Sequence, residues 1–157
     1  MNIEILKRQT RIDSLLNKVN DLNKKDSVDI ELIAEFTKYL CVLISGHLEK
    51  SIYIILLTYI DQRTNQQVTK FINNKLKKFT NASIGKIEDL LESFNNDWKS
   101  ELQLYPEYFE MKGNINSLVK DRHAVAHGQT LSLGISKLSN YYKYTKKIII
   151  EIERIVT

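Results

Sequence analysis

Apolar residues recur every three or four positions through most of the chain, the period of helices with one buried face. Ile5, Ile12, Leu15, Leu16, Val19 and Leu22 mark a first helix over about Asn2 to Asn23. Polar, lysine-rich Asn20 to Ser27 predicts the turn that follows it. A second helix, about Val28 to Gln62, is apolar on almost every side, as a central element is. Its main stripe runs Ile33, Phe36, Leu40, Leu43, Ile44, Leu48, Ile52, Ile55, Leu56 and Tyr59. A third is expected over Asn65 to Phe79 and a fourth over Ser83 to Trp98. Lys99 to Gly113 contains Tyr105-Pro106, and proline disfavours helix in the residue before it, so an irregular stretch with one helical turn is predicted there. The fifth helix spans Asn114 to His127, with Asn114 as N-cap and Gly128 just past the end. After a loop from Gly128 to Ile135, a last helix capped by Ser136 carries Leu138, Tyr141, Tyr142, Thr145, Ile148, Ile149, Ile152, Ile155 and Val156 on one face. No repeat, low-complexity tract or linker interrupts the series. The pattern predicts an all-α, single-domain bundle of about five to six helices over residues 1–157.

Composition narrows this reading. One proline and five glycines are too few for the turns of a sandwich or barrel, and 157 residues suffice to bury a core. Cys41 is the lone cysteine, which excludes an intramolecular disulfide; its apolar neighbours mark a buried, inert thiol. The N-terminal residues lack the basic-then-apolar pattern of a signal peptide. Leu40 to Ile60, the most apolar stretch, is broken by His47, Glu49 and Lys50, whereas a span needs about 20 mostly apolar residues. A cytoplasmic protein with no membrane partner is expected. The net charge of +4 leans toward a polyanionic partner, and lysines gather at Lys70, Lys75, Lys77 and Lys78 and at Lys143, Lys146 and Lys147. On their own these are solvated helix faces.

One segment departs from ordinary packing. On a wheel of about 100° per residue, Met111, Ile115, Leu118, Val119, Val125 and Ala126 lie within about 60° of Arg122, so the arginine stands in the middle of an apolar stripe. His123 and His127, four apart, share one flank. A guanidinium stays protonated, and burying it requires an anion or water. Two outcomes stay open: Arg122 snorkels out or pairs with an acid such as Glu49, or its partner is a phosphate present only with substrate. His127 occupies the last turn beside Gly128, where helix carbonyls attract a cation; a capping or core histidine is the bland alternative.

Arg122-His123-Ala124-Val125-Ala126-His127-Gly128 resembles the R-x4-H motif of the HEPN superfamily, in which a polar residue often follows the arginine. The motif closes the penultimate helix, a Gly-led loop follows, and a Tyr-containing helix ends the series. Ser45-Gly46-His47-Leu48-Glu49 on the long apolar helix is similar to the RiboL-PSP-type branch. The resemblance implies a HEPN-like fold and a metal-independent endoribonuclease that acts as a homodimer, with two motif helices facing across one cleft. It also implies a place in a toxin–antitoxin or anti-phage defence system, with a partner antitoxin or defence protein. Under it, His127 transfers a proton, Arg122 stabilises phosphate charge, and His123 orients the substrate or makes a second transfer. Glu49 holds Arg122 or a histidine, RNA is the substrate, and no cofactor or metal is required. The alternative is a non-catalytic nucleotide- or partner-binding helical module, or a regulator that docks through its first helix. His47 is read as a buried structural histidine, and Tyr141 and Tyr142 as core residues rather than base-stacking platforms.

Overall fold

The computed structural model of the chain describes residues 1–25, 27 and 29–157. Among the described residues there are seven helices and no strand: α1 (Ile3–Asn23), α2 (Ile30–Asp61), α3 (Gln66–Leu76), α4 (Ile84–Phe94), α5 (Asn96–Gln103), α6 (Tyr108–Ala126) and α7 (Ile135–Val156). The all-α expectation holds; the count is seven rather than five to six. Val28, the expected start of the second helix, lies outside the described residues.

Short polar side chains set most of the starts. Asn2, Asp29, Asn65 and Asn95 each accept a hydrogen bond from a first-turn amide of the helix that follows. Asn95 also accounts for the extra helix. Its backbone is extended at φ −156° and ψ 125°, and its side chain caps α5, so the continuous helix expected over Ser83 to Trp98 is two. A short amide that bonds the backbone two residues on competes with helix continuation. Lys99 to Gly113 is correspondingly more regular than expected: α5 runs to Gln103, and α6 begins at Tyr108 rather than Asn114. Pro106 lies just before that start, where a missing N–H costs nothing, and Asn114 is no cap but donates its Nδ2 to the Glu110 carbonyl inside the helix. Gly134, not Ser136, occupies the N-cap of α7. The third helix stops at Leu76, and a turn carries the chain to Phe79.

Helix α2 is the centre of the bundle and packs on α1, α3, α6 and α7. Its C-terminal half (Leu48, Ile52, Leu56) joins Ile84, Ile87 and Leu91 of α4, Leu102 of α5, Met111 and Ile115 of α6, and Ile148 and Ile152 of α7 in the larger core. Its N-terminal half (Leu40, Cys41, Ile44) joins Ile12 and Val19 of α1, Leu118 of α6, and Leu138, Tyr141 and Tyr142 of α7. By length and composition α2 is apolar enough to cross a bilayer, yet most of that apolar stretch is buried within this chain. Both tyrosines read as core residues are buried.

Candidate functional site

The last two turns of α6 carry the motif, and their end is sharply defined. Gly128 takes φ +63°, its N–H bonds to the Val125 carbonyl at 3.1 Å, and Gln129 N–H bonds back to Ala124 at 3.0 Å. These two bonds around a left-handed glycine are the Schellman termination, and they fix His127 as the C-cap residue. The predicted role of Gly128 is what the backbone uses it for.

The apolar stripe of α6 does not continue as the wheel drew it. Met111, Ile115 and Leu118 are fully buried, but Val125 is only half-buried and Ala126 is exposed. The helix is leaving the core as it reaches Arg122, which is half-buried at the exit rather than enclosed within the stripe. The polar residue that does enter the interior is its neighbour Asp121, which the sequence reading passed over. Asp121 faces α7, where Tyr141 Oη donates to its Oδ2 at 2.6 Å and Lys137 Nζ lies 2.8 Å away. Its influence spreads to its neighbours. Burial and the bond to Asp121 push Tyr141 up to about 12, and the same carboxylate holds Lys137 above the usual lysine range. Cys41 is pushed up to about 12 by burial first and Asp121 second, so its thiol is inert as expected.

Arg122 is treated differently. Its Nη1 donates to Asn81 Oδ1 at 3.2 Å, and among the described residues it makes no other side-chain hydrogen bond and no ion pair. Asn81 lies in the α3–α4 connection with φ +54°, the one non-glycine residue in the left-handed region among those described. Its backbone N–H donates to Glu49 Oε1 at 2.7 Å. Glu49 of α2 therefore supports Arg122 at one remove: the carboxylate anchors the Asn81 backbone, and the Asn81 amide holds the guanidinium. The direct Arg122–Glu49 pair weighed from sequence is absent, and Asn81 was not anticipated. The available signal was weak, an asparagine in the polar Thr80-Asn81-Ala82-Ser83 segment ahead of a helix, a residue type that tolerates the left-handed conformation.

His123 and His127 are both exposed, and their rings lie 4.2 Å apart between centroids at an interplanar angle of 53°. The four-residue spacing thus brings them together on one flank as predicted. His47 belongs elsewhere. It is 2% exposed, its Nδ1 is 3.4 Å from Ser51 Oγ, and its Nε2 has no partner among the described residues. Desolvation, aided by the charge of Arg8, lowers its pKa to about 4, so it is a neutral buried ring, as the sequence implied. The motif end of α6 therefore presents one held but charge-uncompensated guanidinium and two open imidazoles. This combination can bind a phosphate and exchange protons with it.

A family model described as RiboL-PSP-HEPN matches residues 3–157. No curated protein and no solved structure matches the chain. With essentially its whole length covered, the chain belongs to the RiboL-PSP-HEPN family.

Proposed function

We propose that this member of the RiboL-PSP-HEPN family is a metal-independent endoribonuclease whose site is Arg122, His123 and His127. The observation that carries the reading is the state of Arg122: its charge has no carboxylate partner among the described residues and is steadied by a neutral amide at 3.2 Å. A guanidinium kept in place yet uncompensated is complementary to a phosphate diester.

The chemistry follows from the groups present. One imidazole takes the proton of a 2′-hydroxyl, the freed oxygen attacks the adjacent phosphorus, and a second imidazole in its protonated form gives a proton to the departing 5′-oxygen. Arg122 stabilises the charge that builds on the phosphorane. The products are a 2′,3′-cyclic phosphate and a 5′-hydroxyl. We assign His127 to proton transfer and His123 to orientation or the second transfer, with Glu49 supporting Arg122 through Asn81. The site works across a homodimer in this reading. Leu32, Phe36, Tyr39 and Val42 are exposed apolar residues on α2, the helix that carries Glu49, and such a strip marks an interaction surface. A role as the RNA-cleaving effector of a toxin–antitoxin or anti-phage defence system is the corresponding biological setting.

The test is incubation of the purified protein with total RNA in EDTA, beside the His127→Ala variant. Cleavage that persists in EDTA, leaves cyclic-phosphate ends and disappears in the variant is the expected result. RNA that is bound but left intact by both proteins would move the assignment to a non-catalytic RNA-binding module.

A further inference from the structure

Gly46 sits near the middle of α2, the longest helix of the chain, where glycine is a poor choice. It weakens a helix interior relative to alanine by about 1 kcal/mol. Close packing inside the chain does not require it, because a Cβ built at Gly46 meets nothing within 4 Å. Packing against other residues of the chain therefore does not account for the glycine.

The space above Gly46 is a cleft of about 280 Å³ between α2 and the end of α3. Its walls combine three kinds of group. Tyr53 and Phe79 supply aromatic surface, Lys50 and Lys77 supply cations, and Glu49 and Thr80 supply polar atoms. Lys50 Nζ lies 4.2 Å from the centroid of the Tyr53 ring and 4.0 Å from Glu4 Oε1. Glu49 uses Oε1 on the Asn81 amide, and Oε2 makes no hydrogen bond among the described residues. Thr80 precedes Asn81, whose side chain holds Arg122. A residue of the cleft wall is therefore next in sequence to the one that holds the guanidinium.

We propose that the cleft binds the nucleobase next to the phosphate held at Arg122, and that Gly46 lets the base approach the α2 backbone. The proposal rests on the RNA reading of Arg122. Aromatic walls accept the face of any base, and lysines draw the flanking phosphates. The free oxygen of Glu49 adds selectivity, because a carboxylate accepts from an exocyclic amino group and is repelled by the carbonyl oxygens that border the single N–H of uracil or thymine. Adenine, cytosine and guanine fit; uracil and thymine do not.

Deoxytrinucleotides test this in the unmodified full chain, since without a 2′-hydroxyl they cannot be cleaved by the proposed route. In an amide NMR titration, the deoxyadenosine and deoxycytidine trinucleotides should shift Gly46, Lys77 and Thr80 and bind at least fivefold more tightly than the thymidine trinucleotide. Gly46→Phe, which fills the cleft, should weaken the deoxyadenosine trinucleotide at least tenfold while inorganic phosphate still shifts His123 and His127 unchanged. Gly46→Ala should raise the melting temperature. If Gly46→Phe does not fold, Lys77→Glu on the exposed rim takes its place, with the same loss expected. Shifts confined to the end of α6 would overturn the cleft and leave the phosphate reading standing. Silence toward both trinucleotide and phosphate would defeat the RNA reading itself. Gly46 signals that follow protein concentration, with trinucleotide binding unchanged in Gly46→Phe, would assign the cleft to a second copy of the chain and overturn the proposal.

Discussion

Asp121 and Arg122 are neighbours on one helix, oppositely charged, and handled in opposite ways. Asp121 turns inward and is closed off by Tyr141 and Lys137. Arg122 turns toward the helix exit and keeps one neutral contact, to Asn81. The histidines divide along the same line: His47 is sealed inside the bundle, whereas His123 and His127 stand in solvent with their rings together. A charged or titratable residue closed off from solvent belongs to the fold. One whose position is fixed while its charge stays available belongs to the chemistry.

Exchanging the two neighbours for alanine gives the widest separation. Arg122→Ala should lower RNA cleavage by roughly 10²–10³, the usual scale for removing one preorganised donor from a developing charge, and leave stability within about 0.5 kcal/mol. Asp121→Ala should strand the buried Tyr141 hydroxyl and the Lys137 ammonium and cost about 3 kcal/mol. That lies at the low end for a broken buried pair, because the lysine is half exposed and water screens it. Chemical denaturation and initial cleavage rates on the same two proteins decide the matter. A large stability loss for Arg122→Ala would make it a structural arginine and erase the contrast.

The histidines sharpen the division through pH. His47 is held at about 4 in the fold by desolvation, below its unfolded value of about 6.5. Its neutral form stabilises the fold above pH 6.5, and that contribution is lost as pH falls from 6.5 through 4, because the unfolded chain takes up the proton first. The loss amounts to at most about 3 kcal/mol. Denaturation midpoints measured from pH 7 to 4 should fall in the parent and flatten in His47→Gln. A slope that survives His47→Gln would place the acid-sensitive group elsewhere.

Much of this arrangement was legible in the sequence, for identifiable reasons. The stripes of α1, α2 and α7 are long enough for periodicity to speak clearly. Gly128 marked the end of α6 because glycine is the residue a left-handed cap needs. The pairing of His123 with His127 follows from their spacing alone. Asn95 and Pro106 were misjudged because the same residue can start a helix or stop one, and only the surrounding packing decides. The wheel also placed Arg122 inside a stripe that in fact leaves the core after Leu118, since a wheel carries no information about where a helix exits the bundle. Asp121 and Asn81 were invisible for a related reason: each has its meaning in a partner far along the chain, on α7 and on α2.

The smallest expected effect concerns that last residue, and it asks why an amide holds the arginine. Asn81→Gly keeps the left-handed backbone and removes only the side-chain acceptor. Asn81→Ala removes the acceptor and also gives up asparagine's tolerance of the left-handed backbone at φ +54°, a cost of about 1 kcal/mol. If the amide positions Arg122, both variants should lose cleavage by roughly fivefold, the worth of one hydrogen bond of about 1 kcal/mol, while only the alanine variant loses stability. Asn81→Asp supplies the decisive arm. A carboxylate there would grip the guanidinium more firmly but compensate its charge, so KM for RNA should rise even though Arg122 is better fixed. Were Asn81→Asp to bind RNA as well as the parent, a neutral partner would offer no advantage, and the line between a completed charge and an available one would not run through this residue.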